Sequence, residues 1–380
     1  MTSRERVELA LRHEEPDRVP LDIGGTGCST LTVEAHERLR LHLGIPRPTR
    51  VLSEYWRMAW VDEEIMQRLG ADLRLVALRP PKHWSPPACA PGTYVDEWGI
   101  GWRKVEHVYG YYWDMVSPPL ANATIEDLAS YPWPDPLDEG RFEGLAEQVR
   151  RLYHDTPFAL VGDPGFKQFF ERAMWLRGGA QWLMDLALNP EFVQALLDKL
   201  MELNLAATGR MLEIAGPYLS VVRTADDLAA QDAPLLSPAT YRRLIKPYHE
   251  HYFHFIKQHT PAKVFLHCCG NLVPLLDDLL DAGMDIWRTV QLRGIPMRDE
   301  LKARYGKNLT FWGGIDVQQV LPKATPEQVC EEVRARMRQF GPGGGYVVAA
   351  THNIQADVPP ENILAMADAV REWGKYPLRA

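Results

Sequence analysis

The sequence predicts a (β/α)8 barrel, a TIM barrel, in which eight parallel strands form a closed ring and helices cover its outside. Two observations lead to this prediction: eight short apolar runs occur along the 380 residues, and helical patterns separate most of them. The runs are residues 19–23, 73–78, 158–162, 219–224, 264–268, 285–290, 309–313 and 346–350. An open, doubly wound parallel sheet is the main alternative, because it has the same alternation of strands and helices.

The helical stretches carry apolar residues at three- and four-residue spacing, which is typical of helices with one buried face. Examples are residues 190–215, 238–259, 272–282 and 326–340. They follow predicted strands, as the helices of a barrel do. We therefore expect a single barrel domain that spans residues 1–380.

One insertion interrupts this alternation, over residues 79–157, between the second and third predicted strands. Residues 93–105 alternate in polarity and contain turn glycines, which predicts a β-hairpin, and a proline-rich stretch follows. A segment that follows a barrel strand lies on the face where barrel active sites form. We expect a flap there, which serves either as rigid packing or as a lid over the barrel mouth.

Composition and charge narrow the classes of partner. The net charge of -8 argues against nucleic acid, since phosphate binding requires a basic surface. No apolar run approaches the roughly 20 residues that span a bilayer, and the first residues read as an amphipathic helix rather than a secretion signal. The five cysteines lack the spacing of a disulfide framework. We expect a soluble cytoplasmic enzyme with a small-molecule substrate; a homodimer is possible on this evidence.

The fifth predicted strand ends in the most informative residues of the chain, His267, Cys268 and Cys269. Positions two apart on a strand point to the same side, so His267 and Cys269 project together while Cys268 faces the helices. An imidazole beside a thiolate suits zinc. The alternative is a small buried cysteine next to a histidine that bonds the backbone.

His352 follows the eighth predicted strand and completes a possible metal site. Strands five and eight lie across the barrel mouth from each other, so His267, Cys269 and His352 can reach one ion. Three protein ligands with one open position are the pattern of catalytic zinc. Bonding of His352 to the adjacent loop is the alternative.

Polar residues also follow most of the remaining predicted strands. We expect Asp226 and Asp227 to take part in catalysis as acids, bases or orienting groups. The expected substrate-binding residues are Asp22, Asp163, Gln291, Asp316 and Asn353. Asp316 is equally well explained as a helix N-cap.

Motifs along nearly the whole chain resemble those of the uroporphyrinogen decarboxylase superfamily. They include residues 4–13, 16–20, 70–74, 96–99, 225–231, 236–238, 267–271, 313–316, 343–347 and 352–362. The resemblance implies a barrel. The decarboxylases themselves carry an N-terminal segment whose arginines hold the acidic side chains of a porphyrinogen. The matching residues 19–26 contain no arginine, which argues against that substrate.

The other branch comprises corrinoid-dependent methyltransferases, including those that methylate coenzyme M. Their His-x-Cys motif corresponds to His267 and Cys269, and His352 takes the place of their last zinc cysteine. The resemblance implies zinc, a corrinoid (cobalamin) carried by a partner protein, and a methyl donor or acceptor of low molecular weight. The alternatives are a decarboxylase or lyase acting on a small acid, and a non-catalytic barrel that binds corrinoid.

The predicted zinc ligands and the tryptophans of the flap indicate which type of methyl donor to expect. A zinc site with one thiolate is more electrophilic than one with two, which favours an oxygen or nitrogen leaving group. Trp98 and Trp102 of the flap suit a methylated, apolar donor. A methyl ether or methylamine is therefore the preferred donor, with methylation of a thiol as the second possibility.

Overall fold

A computed structural model of the chain describes residues 1–378 and contains a curled parallel sheet at its centre. Its strands are β1 (Arg50–Ser53), β2 (Met58–Trp60), β3 (Leu73–Ala77), β4 (Thr93–Val95), β5 (Gly101–His107), β6 (Gly110–Ser117), β7 (Ala159–Asp163), β8 (Val221–Ala225), β9 (Lys263–His267), β10 (Ile286–Thr289), β11 (Thr310–Ile315) and β12 (Tyr346–Ala350). Seven of them form the sheet in the order β12-β11-β10-β9-β8-β7-β3. Their side chains are buried almost throughout, as in parallel sheets covered on both faces.

The first predicted strand closes the ring between β12 and β3. Val348 N donates to the Pro20 carbonyl and Asp22 N to the Val348 carbonyl, each at 2.9 Å. On the other edge, Asp72 N donates to the Leu21 carbonyl at 2.9 Å. This segment makes too few backbone hydrogen bonds to its neighbours to form a regular strand, but it occupies the position of the eighth strand of the barrel. The predicted barrel is thus confirmed, and an open sheet is excluded.

Helices surround the barrel. They are α1 (Ser3–Leu11), α2 (Val33–His42), α3 (Glu63–Leu69), α4 (Ile125–Ser130), α5 (Glu139–Phe142), α6 (Leu145–Asp155), α7 (Phe170–Arg177), α8 (Gly179–Leu188), α9 (Pro190–Ala215), α10 (Pro238–Thr240), α11 (Lys246–His259), α12 (Leu276–Asp281), α13 (Leu301–Tyr305), α14 (Val320–Lys323), α15 (Pro326–Phe340) and α16 (Pro360–Trp373). The predicted helix 238–259 is divided by a π-helical turn, Tyr241–Ile245, just before Pro247. Proline has no N–H to donate, so the regular bonding pattern changes there.

The insertion forms the predicted flap with one strand more than a hairpin. β4, β5 and β6 make a three-stranded antiparallel sheet. The insertion leaves after β3 and returns before β7, which pair with each other in the barrel. A second hairpin, β1 with β2, was not predicted; its four- and three-residue strands are too short for a clear alternating pattern.

Among residues 1–378, no helix is both long enough and apolar enough to cross a membrane.

Candidate metal and substrate site

A cavity of about 580 Å³ opens at the carboxyl ends of the barrel strands. One side is formed by residues at or just after the ends of β3, β7, β8, β9 and β12, together with Gly27 and Cys28, which follow the segment that closes the ring. The insertion and the β1–β2 hairpin form the other side. The predicted residues that line the cavity are Asp163, Asp227, His267, His352, Asn353 and, from the flap, Trp98.

The three predicted metal ligands converge beside this cavity. His267 is the last residue of β9, Cys269 follows two residues later, and His352 follows β12 by two residues. Cys269 Sγ lies 3.6 Å from His267 Nε2. The two imidazole rings lie 5.4 Å apart, and one ligand atom from each of the three residues falls within 4.8 Å of the others. Cys268 points away, as predicted: it is fully buried and its sulfur accepts a bond from Leu228 N.

The chemistry of these side chains fits zinc. Typical bond lengths put a nitrogen and a sulfur about 3.6 Å apart around a tetrahedral zinc ion, which matches the His267–Cys269 separation. Burial lowers the pKa of both His267 and His352 to about 3, so each imidazole is neutral and keeps a lone pair. Burial also raises the pKa of Cys269, and the charge of a bound cation would offset that effect.

The two neighbouring aspartates, Asp226 and Asp227, have different positions. Asp227 lines the cavity and accepts a bond from Cys269 N at 2.8 Å. Asp226 is 1% exposed and does not line the cavity. Its oxygens accept Phe170 N at 2.9 Å and Glu171 N at 2.7 Å, and one of them lies 3.0 Å from His249 Nε2. The Asp226 carboxylate thus lies away from the cavity and anchors the start of α7, and a catalytic role for it stays a prediction.

Glu171 is a site residue that the sequence reasoning missed. It lies on α7, is 9% exposed and lines the cavity. Burial, together with the charges of Asp227 and Asp226, raises the pKa of Glu171. Burial raises the pKa of Asp227 as well. Two carboxyl groups that face one desolvated space do not both ionise readily, so this pair can hold a proton next to the metal ligands.

Asp163 lines the cavity, but its carboxylate is already paired. It bonds to Lys167, and Arg223 Nη1 donates to it at 2.6 Å. Burial alone would raise the pKa of Asp163, yet these two cations hold it well below its ordinary value. Burial in turn lowers the pKa of Lys167 to about 8. Asp163 therefore organises two cations rather than presenting a free carboxylate.

The remaining predicted substrate residues are mostly structural. Asn353 lines the cavity and donates to the Gly27 carbonyl at 3.0 Å. Asp22 is fully enclosed in the barrel and accepts Trp312 Nε1 at 2.9 Å. Gln291 accepts Gly270 N at 3.2 Å, and Asp316 accepts Gln318 N at 2.6 Å in the turn that follows β11. None of these last three lines the cavity, and their contact with substrate stays a prediction.

The flap contributes an aromatic side chain to the cavity, but only one of its two predicted tryptophans lies there. Trp98 lines the cavity, but Trp102 is buried behind it, where its Nε1 donates to Asp96 Oδ2 at 3.0 Å. Tyr55, from the loop between β1 and β2, packs 4.2 Å from the Trp102 ring and reaches the cavity instead. The inner aromatic surface is thus contributed partly by a hairpin outside the flap.

Comparisons with known proteins agree with this fold. A profile described as uroporphyrinogen decarboxylase (URO-D) matches residues 111–373. The chain is 24% identical over 274 residues to a methylated-thiol–coenzyme M methyltransferase from Methanosarcina mazei, covering 68% of this chain and 67% of that protein. It is 25% identical over 255 residues to a uroporphyrinogen decarboxylase from Alkalilimnicola ehrlichii, covering 65% and 66%. The aligned stretches thus span about two thirds of each relative's length.

A solved structure gives the corresponding comparison in three dimensions. A methyltransferase from Methanosarcina mazei superposes with a TM-score of 0.63 over 98% of this chain and 99% of that one. The sequence identity is 19%, so this similarity bears on the fold alone.

Proposed function

Because this chain belongs to the uroporphyrinogen decarboxylase (URO-D) family, we propose that it is a zinc-dependent methyltransferase. It would move a methyl group between a small methylated compound or thiol and the cobalt of a corrinoid. The observation that carries the proposal is the convergence of two neutral imidazoles and one thiol beside a cavity large enough for a small molecule. The similarity to a protein named as a methyltransferase supports it.

His267, Cys269 and His352 would hold the zinc, leaving one position for the substrate. When bound, zinc supplies a Lewis acid that polarises a leaving oxygen or nitrogen, or lowers the pKa of a thiol. Asp227 lies against the ligand loop through its bond to Cys269 N and therefore faces the reacting atoms. The corrinoid, carried by a partner protein, would approach through the open barrel mouth.

The carboxyl pair of Asp227 and Glu171 supplies the proton that this reaction requires. When a methyl group leaves an ether oxygen for reduced cobalt, the remaining oxygen must gain a proton. Burial raises the pKa of both Asp227 and Glu171, so the pair would be the local source of that proton. In the opposite direction, with a thiol as acceptor, the same pair would receive the thiol proton.

The test uses the zinc-loaded full chain with cob(I)alamin and a panel of methyl ethers, methylamines and methyl thioethers. Formation of methylcobalamin, followed by its absorption spectrum, is the expected result for at least one donor. Cys269→Ala should remove most of the zinc and the activity, whereas Cys268→Ala, which alters a cysteine facing the helices, should keep about one zinc per chain.

Four other outcomes would count against parts of this proposal. Equal zinc in both variants would refute the ligand assignment. Consumption of methylcobalamin only when a thiol is present would select thiol methylation over demethylation of an ether or amine. Release of carbon dioxide from a small acid, without any methyl transfer, would indicate a decarboxylase. Corrinoid binding without turnover would indicate a non-catalytic barrel.

A further inference from the structure

One cation of the cavity differs from the others because it lacks a carboxylate partner. Arg172, on α7, lines the cavity beside Glu171. Lys167 and Arg223 share Asp163, and Arg79 and Arg141 are paired with glutamates. Within residues 1–378, no carboxylate oxygen lies within ion-pair distance of Arg172, and only one of its N–H groups has a partner, Gln168 Oε1 at 2.9 Å.

The structure nevertheless holds this guanidinium in a fixed orientation. Its central carbon lies 4.4 Å from the ring centre of Trp98 and 4.9 Å from that of Trp175. Gln168 accepts from Arg172 and donates to Glu171, so one amide orients both side chains. Stacking on aromatic rings leaves the N–H edge of a guanidinium free for planar, two-point bonding to an anion. Because the guanidinium of Arg172 lies over one face of Trp98, that face is not available to a methylammonium group.

Two carboxyl groups close to Arg172 are engaged by other donors. Glu171 accepts a bond from Gln168, and burial raises the pKa of its carboxyl group. Asp96 is occupied by its own loop, since its oxygens accept from Trp98 N, Ile100 N and Trp102 Nε1 at 2.9–3.0 Å. An unpaired charge in a partly desolvated cavity is costly unless a ligand supplies the opposite charge.

The same wall contains a second unsatisfied group. The Tyr55 hydroxyl is buried and has no hydrogen-bond partner among the described residues, although Tyr55 lines the cavity. Arg172 is close enough to counteract part of the rise that burial causes in the pKa of Tyr55. A buried hydroxyl without a partner is unusual in a folded protein, and an anion bound by Arg172 would give it an acceptor.

We propose that Arg172 and Tyr55 bind an anionic group, a carboxylate or a sulfonate, at the end of the substrate remote from the transferred methyl group. This inference rests on the proposed function for the identity of the reacting end. It makes the substrate a small methylated acid, held with its anion against α7 and its methyl group toward His267, Cys269 and His352. Neutral methyl ethers and simple methylamines would then be poor ligands.

The experiment measures binding by calorimetry and tryptophan fluorescence, using the zinc-loaded full chain without cobalamin. Three matched pairs of ligands distinguish the anion from the rest of the molecule: methoxyacetate and methoxyethanol, dimethylglycine and dimethylaminoethanol, methylthioethanesulfonate and methylthioethanol. At least one anion should bind more tightly than its alcohol. Whether that anion is a carboxylate or the sulfonate identifies the class.

The variants test the two residues. Arg172→Gln should weaken binding of that anion by about tenfold or more, since a charge-assisted, two-point bond is lost. It should leave the alcohol unchanged. Arg172→Lys should retain part of the anion preference, and Tyr55→Phe should reduce it severalfold. Arg79→Gln removes an exposed cation of the same cavity that already has a glutamate partner, and it should have no effect.

Two results would overturn the proposal. One is a parent protein that binds no anion of the panel more tightly than its alcohol. The other is an Arg172→Gln protein that loses anion and alcohol binding equally, which would make Arg172 a structural residue. Neither readout depends on methyl transfer, so a failure here is distinguishable from a failure to form methylcobalamin.

Discussion

At the scale of single residues, the two adjacent aspartates have separate roles. Asp226 satisfies two backbone N–H groups of α7, and Asp227 faces the cavity. Bonds to a buried charge contribute about 1.5–3 kcal/mol each. We therefore expect Asp226→Asn to lower the free energy of unfolding by about 3 kcal/mol, as measured by urea denaturation, because one oxygen becomes a donor facing donors.

Asp227→Asn is the matched control for that substitution. It should reduce methyl-transfer turnover more than tenfold while changing the urea midpoint little, because its carboxyl group borders the cavity rather than the packed core. A loss of stability in Asp227→Asn as large as that in Asp226→Asn would show that both residues are structural.

Asp22 predicts a pH dependence of stability. Burial raises its pKa to about 6 in the folded protein, against about 3.9 when unfolded. Between these two values the folded state binds more protons, so stability falls as pH rises from about 4 to about 6. The difference corresponds to about 3 kcal/mol. Asp22→Asn should remove this fall. In urea unfolding curves at pH 4, 5, 6 and 7, the unfolding free energy of the parent should therefore decrease relative to that of the variant as pH rises. A difference that stays constant over this range would contradict the assignment.

At the scale of elements, the flap positions Trp98 through one turn. Gly99 has a φ of +74° there, and a Cβ at Gly99 would lie 2.4 Å from Tyr131 Oη, which donates to the Trp98 carbonyl. Gly99→Ala should therefore displace the flap wall and reduce turnover about tenfold. Zinc content should not change, since the proposed metal ligands follow β9 and β12.

Gly92→Ala provides the comparison for the flap. Gly92 has a similar φ of +76°, but a Cβ there meets nothing within 4 Å. Both substitutions carry the same backbone cost of roughly 1 kcal/mol, and only Gly99→Ala carries the collision. Turnover in Gly92→Ala should stay within about twofold of the parent. Equal losses in the two variants would show that backbone strain, and not the position of Trp98, matters.

The elements also show what the sequence could reveal. Seven predicted strands agree with β3 and β7–β12 to within two residues, because buried parallel strands are continuous apolar runs. His267 and Cys269 could be paired from the two-residue period alone. Glu171 could not be found, because it lies on a helix that only the fold brings against Asp227. The sequence also could not separate Asp226 from Asp227, since the side chain that faces the cavity depends on how β8 ends.

At the scale of the whole molecule, the closure of the barrel depends on Asp72. This residue is fully buried and accepts from Arg6, Arg18, Ser3 and Leu21 N. Loss of its charge would leave two guanidinium groups without their common partner, which costs about 3–5 kcal/mol for a buried pair. We expect Asp72→Asn to lower the unfolding free energy by that amount, measured as a lower denaturant midpoint.

Asp17→Asn is the corresponding control. Asp17 also pairs with Arg6, but its side chain is 41% exposed. Pairs open to solvent contribute about 0–1 kcal/mol. If the denaturant midpoint shifts no more in Asp72→Asn than in Asp17→Asn, closure of the barrel between β12 and β3 does not depend on the charge of Asp72.

The path of the insertion has a consequence for how this protein can diversify. Arg79 N, at the start of the insertion, donates to the carbonyl of Arg141 at 3.0 Å, and α6 then leads back to the start of β7. Residues 79 and 141 therefore stay together whatever lies between them, and a closed loop of this kind tolerates changes in length at little entropic cost. The flap could therefore be exchanged as one unit. Evolution or protein engineering could replace the wall that holds Trp98 while His267, Cys269 and His352 remain unchanged, so that substrate preference could change without altering the proposed metal site.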